Sequence, residues 1–166
     1  MTSTDDELAA ISEIREVLDD LIRYGFDPGS ITGASDAEID EMAASQKVPV
    51  VPAAVREILR LIGLRQGLFH KVGSFNIGYL DADWKSDVVE FLEEYPPGRN
   101  PIADTEHMLV FLFNQSESAA VVDGTRIHEP DPPMWGVFEG GRVVGVESVT
   151  AFFRSCAESV KGMIDL

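Results

Sequence analysis

Residues 108 to 113 read Met108-Leu109-Val110-Phe111-Leu112-Phe113, six apolar side chains without a polar interruption. A strand with one wet face alternates apolar and polar residues, so an unbroken run of this length is expected of a central strand covered on both faces. Downstream, Ala119-Ala120-Val121-Val122 supplies a second strand, with Asp123-Gly124 as its turn signal. Met134 to Phe138 and Arg142 to Val146 flank Glu139-Gly140-Gly141, a spacing that predicts a tight hairpin. Ser148 is then placed to cap a final helix that carries Phe152, Phe153, Cys156, Val160 and Met163 on or near one face.

Upstream of the run the apolar period changes to that of helices. From Thr4 to about Gly25, Leu8, Ile11, Ile14, Leu18, Leu21 and Ile22 recur at spacings of three and four, with Thr4 and Glu7 as a capping box and Gly25 as the stop. A Gly/Pro/Ser linker covers 26 to 33. Ser35 with Glu38 repeats the capping box and opens a short helix that turns Ile39 and Met42 inward and ends near Ser45. Pro52 fits the first turn of a third helix, which buries Val55, Ile58, Leu59 and Ile62 and closes at Gly63. Residues 64 to 80, spaced by Gly67, Gly73 and Gly78, read as an irregular segment with one short strand. A fourth helix is expected from about Asp83 to Tyr95, terminated by Pro96-Pro97.

Helices, then strands in hairpin order, then a helix is the α+β pattern. The expected architecture is a mostly antiparallel sheet of about four to six strands packed with helices. It forms one domain over 1–166, in which 1–33 is an N-terminal helical extension with its linker and 34–166 is the core. The chain's 166 residues and 18.2 kDa suit that reading, since a chain of this size buries about 69% of its extended surface on folding. With 45% hydrophobic residues and a mean hydropathy of +0.01, the composition is globular.

The charge is the outstanding feature, 29 acids against 13 bases for a net of -16. It is unevenly distributed: residues 1–46 carry -10, 47–80 carry +4, 81–106 carry -6 and 107–166 carry -4. Such acidity argues against nucleic acid, whose phosphates need clustered Lys and Arg, and against an anionic membrane surface. Acids of this kind can simply solvate helix faces, or they can steer a basic partner. The single cysteine, Cys156, excludes an intramolecular disulfide and a thiolate metal cluster and suits a reducing compartment. Met1 to Glu7 has no basic stretch leading into an apolar one, and no apolar run approaches the roughly 18 residues of a membrane span. A cytoplasmic location is the expectation.

Motifs for chemistry do not emerge. His70, His107 and His128 match no metal-ligand spacing, and Cys156 sits at a core-like helix position. Asp81, Asp83 and Asp87 lack the glycine and terminal glutamate of a calcium loop and read instead as a charged helix start. Gly140-Gly141 lies in a hairpin and not in a phosphate loop, and Ser116 and Ser118 lack the glycines of a nucleophile elbow. No catalytic residue, metal ligand or cofactor is therefore assigned. Trp135, delivered by Asp131-Pro132-Pro133-Met134, reads as structural. Trp84, set among Asp81, Asp83 and Asp87, has the composition of an interface anchor with an acidic rim, and equally that of a packed helix start. Together with Glu94 and Tyr95 these four residues form the candidate partner-binding set. On the anchor reading, Trp84→Ala leaves folding intact and weakens partner binding.

The order of Ala34-Ser35-Asp36-Ala37-Glu38-Ile39, the proline-led helix from Pro52 to Leu59, Asp131-Pro132-Pro133-Met134-Trp135 and Ser148-Val149-Thr150-Ala151-Phe152-Phe153 resembles the SUKH superfamily. That superfamily contains yeast cell-wall-synthesis regulators of the Smi/Knr type and many bacterial immunity proteins that neutralise polymorphic toxins. The resemblance spans about residues 34 to 158, with the first helix as an addition, and Pro52, Asp131, Pro132, Pro133, Trp135, Ser148 and Phe152 carry it as structural positions. It implies an α+β fold and function by binding another protein, such as a toxin with a basic, nuclease-like cleft. The family supplies no shared catalytic residue. A regulatory scaffold without a toxin, and a small-ligand binder using a cleft along 64 to 80, are the alternatives.

Overall fold

In the computed structural model, which describes residues 4–96 and 98–166, the first amphipathic segment forms α1 (Thr4–Tyr24). Thr4 is itself helical, so it does not act as the cap; the position before it lies outside the described residues. The inward face of α1 buries Ala10, Ile14, Val17, Leu18 and Leu21. It packs on α3 (Ala53–Ile62) and on α5 (Val149–Ile164). The N-terminal helix is thus packed into the body of the fold. The apolar faces of α1 and α3 cover one another, and their side chains belong to a single core cluster. Arg15 Nε also reaches 2.6 Å to the fully buried carboxylate of Glu57 on α3. The linker is likewise part of the fold, because Ile31-Thr32 (β1) pairs antiparallel with Arg65-Gln66 (β2).

Between these lies α2 (Asp36–Ser45), opened by the expected reciprocal cap: Ser35 Oγ accepts from Glu38 N, and Glu38 Oε1 accepts from Ser35 N at 3.0 Å. After β2 the chain makes 3-10 turns at Gly67–Lys71 and Ile77–Tyr79 and enters α4 (Ala82–Glu93). The second half builds an antiparallel sheet in the order β3 (Leu109–Asn114), β4 (Ser118–Val122), β5 (Met134–Phe138), β6 (Arg142–Val146). The β5–β6 hairpin forms over the predicted ranges, with Met134 opposite Val146 and Phe138 opposite Arg142. Gly140 and Gly141 turn it at φ 89° and 90°, a region costly for any residue with a Cβ.

The strand buried along its whole length is β4, and the apolar run at 108–113 forms β3 at the end of the sheet. An edge strand exposes a row of N–H and C=O groups that must find partners once water is excluded. Here side chains and one short backbone bridge supply them. The Gln46 side chain, 1% exposed, accepts from Val110 N at 2.9 Å through Oε1 and donates to Val110 O at 2.9 Å through Nε2, a two-way pairing like that of a neighbouring strand. The Trp84 indole donates to Leu112 O at 3.1 Å. Ser74 and Phe113 exchange both backbone bonds, at 2.6 and 2.8 Å. A strand register shift between Val110 and Leu112 accompanies this mixed set of partners.

The proline-rich segment before β5 joins two helix starts. Pro130 O accepts from Ala54 N at the beginning of α3, just after Pro52, while Pro132 O accepts from Val149 N and Asp131 Oδ1 accepts from Thr150 N on α5. Ser148 Oγ accepts from Ala151 N, completing that cap. Proline carbonyls remain acceptors although the ring removes the donor, so the segment satisfies orphan helix N–H groups without needing partners for itself. Pro133 then leads into β5, where Trp135 lies opposite Gly145; a Cβ there would meet the indole at 2.9 Å. Phe152 stands edge-on to Phe111, and Phe153 stacks on Phe69 at 5.3 Å. Replacing Gln46 with Leu keeps the volume but leaves both polar groups of Val110 unpaired in the core. We expect a loss of roughly 3–5 kcal/mol in stability, read from the midpoint of chemical unfolding with an unchanged slope.

Candidate functional site

The residues singled out from the sequence lie on α4 or at its ends, and the helix sorts them by phase. Asp81 accepts from Trp84 N at 2.9 Å and so caps α4. Trp84, Lys85, Val88 and Leu92 face inward. Asp83, Asp87, Glu90 and Glu94, separated by four, three and four residues, lie along the exposed side, with Glu93 beside them. Trp84 is therefore not a surface anchor. It is 4% exposed, lies edge-on to Phe113 at 4.8 Å and to Phe91 at 5.9 Å, and spends its N–H on β3. Its position one turn before Val88 puts it on the apolar stripe, and the acids around it point elsewhere.

At the other end of α4, Glu94 Oε2 accepts from Gly140 N at 3.3 Å and the half-buried Tyr95 ring lies against Gly141, so both hold the β5–β6 hairpin. The Tyr95 hydroxyl is buried without a hydrogen bond, and burial raises its pKa. Of the candidate set, then, Asp81, Asp83, Asp87 and Glu94 are exposed together, Tyr95 is partly enclosed and Trp84 belongs to the core.

The charges on α4 differ from those on α2. Asp36 lies 3.0 Å from Arg56 and 2.8 Å from Arg60, and Asp40 lies 2.5 Å from Arg56, so these two acids of α2 are paired by α3. The hydrogen bond from Arg56, followed by that from Arg60, holds the Asp36 carboxyl below its usual range. Among the described residues no ion pair reaches Asp83, Asp87, Glu90 or Glu93. The one base on the helix is turned inward: Lys85, 8% exposed, donates through Nζ to Gln46 O and Glu106 O, each at 2.5 Å. Burial pulls its pKa down to about 8, against the opposing pull of Asp104 and Glu106. The outer face of α4 is left uniformly negative.

A second feature is a groove of about 790 Å³ between the 64–80 segment and the turn joining β3 to β4. Arg65, His70, Lys71, Asn76, Tyr79 and Gln115 line it, and no Asp or Glu does. His70 Nδ1 donates to Gly67 O at 2.7 Å, leaving Nε2 as the ring nitrogen available to the groove. Tyr79 is 54% exposed and stacks on Phe113 at 5.1 Å with a 15° tilt. Gln115 and Ser116 hold φ of 53° and 61° in the adjoining turn, where Asn-Gly is the usual choice and other residues cost about 1–2 kcal/mol each. The sequence flags this site by the glycine-spaced segment from 64 to 80, the cleft of the small-ligand alternative, and by the absence of acids from 58 to 80. The wall contributed from residues 113–115 needs the sheet register to be seen.

Other chemistry-bearing groups sit in structural places. Cys156 is buried, which pushes its thiol up to about 12 and keeps it protonated. His107 contacts Asp104 Oδ2 at 2.9 Å. Among the described residues no group of three or more His, Cys, Asp or Glu is placed to hold a metal ion, and no helix is long and apolar enough to cross a membrane. No protein-family model matches the chain, and no curated protein or solved structure matches it significantly.

Trp84→Ala opens a cavity beside Phe113 and unpairs Leu112 O, so a stability loss of about 3–5 kcal/mol is expected by thermal or chemical unfolding. For Lys85 the folded pKa near 8 lies below the ordinary 10.5, so between those values the unfolded chain binds more protons. The stability from this group therefore rises with pH across that window, by on the order of 1–3 kcal/mol. Unfolding measured from pH 8 to 10.5 is expected to show this rise in the parent and to lack it in Lys85→Met.

Proposed function

We propose that the chain is a non-enzymatic, cytoplasmic protein-binding domain that meets a basic partner with the outer face of α4. The observation that carries this reading is the row Asp83, Asp87, Glu90 and Glu93, exposed and without cations of its own, on a helix whose single lysine is withdrawn beneath it. Acids that served only solubility would gain from nearby Arg or Lys, as Asp36 and Asp40 do on α2. An unpaired negative ridge raises the protein's energy slightly and stores attraction for an approaching positive surface, which speeds encounter more than it tightens the final complex. The ridge is rigid, because α4 is pinned to β3 through Trp84 and to the hairpin through Glu94.

The resemblance to SUKH proteins suggests what the partner is: a polymorphic toxin with a basic cleft, neutralised by occlusion. The test is co-expression with a candidate toxin drawn from the genes neighbouring this one, then association kinetics of the purified pair. We expect rescue of growth, a stable complex, and an association rate that falls steeply with salt. The triple change Asp83→Lys, Asp87→Lys, Glu90→Lys is expected to slow association at low salt about tenfold or more while shifting the thermal midpoint by only a few degrees. An association rate indifferent to salt and to these changes removes α4 as the docking face. Failure of rescue, with no complex recovered, removes the toxin.

A further inference from the structure

From the groove beside Tyr79 we infer a binding site for a small anionic ligand built on a flat ring, with the chemistry of a mononucleotide. It is independent of the acidic face of α4 and is carried by different residues. In a chain with 29 acids, the groove-lining residues include Arg65, His70 and Lys71 and not one carboxylate. A concavity focuses the field of its own walls, so Arg65 and Lys71 act on a ligand in the groove more strongly than the distant surface acids do. The two cations are prepared differently. Arg65 Nη2 donates to Gly29 O at 2.7 Å, which fixes the guanidinium and leaves further N–H groups for an oxyanion. Lys71 is exposed, and among the described residues its ammonium has no hydrogen bond or ion pair.

The ring half of the site is the Tyr79 platform. An exposed tyrosine is ordinarily mobile, but this one lies flat on Phe113, and Phe113 is backed edge-on by Trp84. One face of Tyr79 is thus held against the protein while the ring remains half exposed, as a stacking surface for a base requires. Amides complete the lining: Asn114 and Gln115 stand at the groove's far wall, where they can pair with a ring edge. Gln115 holds its place at φ 53°, a strained conformation of the kind that accumulates at ligand sites. The floor is shaped by glycine. A Cβ on Gly67 would meet Ser30 Oγ at 2.4 Å and one on Gly73 would meet Leu112 at 2.9 Å. The volume, about 790 Å³, falls in the range of small-molecule sites. A nucleic-acid strand would carry its remaining phosphates over the surrounding acidic surface, whereas a mononucleotide places its charge inside the groove alone.

The test uses the full chain, with AMP, inorganic phosphate and adenosine titrated separately and followed by backbone amide NMR shifts. AMP at millimolar concentration is expected to shift Arg65, Lys71, Tyr79 and Gln115 together, more strongly than either phosphate or adenosine. Lys71→Glu is expected to weaken AMP about tenfold or more, and Tyr79→Ala to weaken AMP to a similar degree while leaving phosphate unaffected. Both side chains are exposed, so an unchanged thermal midpoint verifies that each variant is folded. No shift at these four positions, or AMP affinity unaltered by Lys71→Glu, overturns the proposal. Phosphate binding as strong as AMP and indifferent to Tyr79→Ala overturns its ring half. The triple α4 variant is expected to bind AMP as the parent does, so loss of partner binding and loss of ligand binding are read separately.

Discussion

The unpaired edge of β3 is the constraint around which the molecule is arranged. A buried strand at the end of a sheet leaves backbone donors and acceptors with no strand beside them, and each unpaired group costs about 1–3 kcal/mol. Three separate elements answer this need: Gln46 from the end of α2 at Val110, Trp84 from α4 at Leu112, and the backbone of Ser74 at Phe113. Meeting these groups fixes the position of each element against the sheet. Lys85 is drawn into the same arrangement, since its ammonium holds Gln46 O and Glu106 O. The orientation of α4, and with it the direction of its acidic face, follows from hydrogen bonds made on the opposite side of the helix.

Electrostatics divide the surface in a related way. Where α2 and α3 meet, acids and arginines neutralise one another, and Glu57 takes Arg15 across the α1–α3 contact. Along α4 the negative charge is left unopposed, and in the groove the positive charge is. Exposed ion pairs contribute little to stability. The significance of the pattern lies in where pairing is withheld, because unpaired charge projects a field further than an ion pair, whose two charges largely cancel at a distance.

Much of the fold was legible from local chemistry. The Ser35–Glu38 and Ser148 caps, the proline boundaries and the Gly140-Gly141 turn act through neighbours in the chain and placed their elements to within a residue or two. What was not legible depends on contacts between distant residues. An apolar run can mean a strand covered by other strands or an edge whose partners are side chains, and nothing in residues 108–113 separates the two; the difference lies in Gln46, 64 positions away from Val110. Trp84 was ambiguous because its sequence neighbours are acids, and a helix sends neighbours to opposite sides. The first helix reads as an addition because a family pattern begins after it, and its packing on α3 and α5 depends on residues far along the chain.

The two ends of the sheet are unlike. At β3 the edge is closed by side chains and a backbone bridge, while β6 ends the sheet on the other side, with Arg142, Val144 and Gly145 exposed. Edge-to-edge growth of a sheet into a fibre needs two receptive edges on every molecule. A molecule with one receptive edge can join a single neighbour, β6 against β6 about a twofold axis, and the joined pair then has sealed edges at both ends. Within the four-stranded sheet the polar clasp on β3 thus acts as a chain terminator, limiting strand addition there to a closed pair.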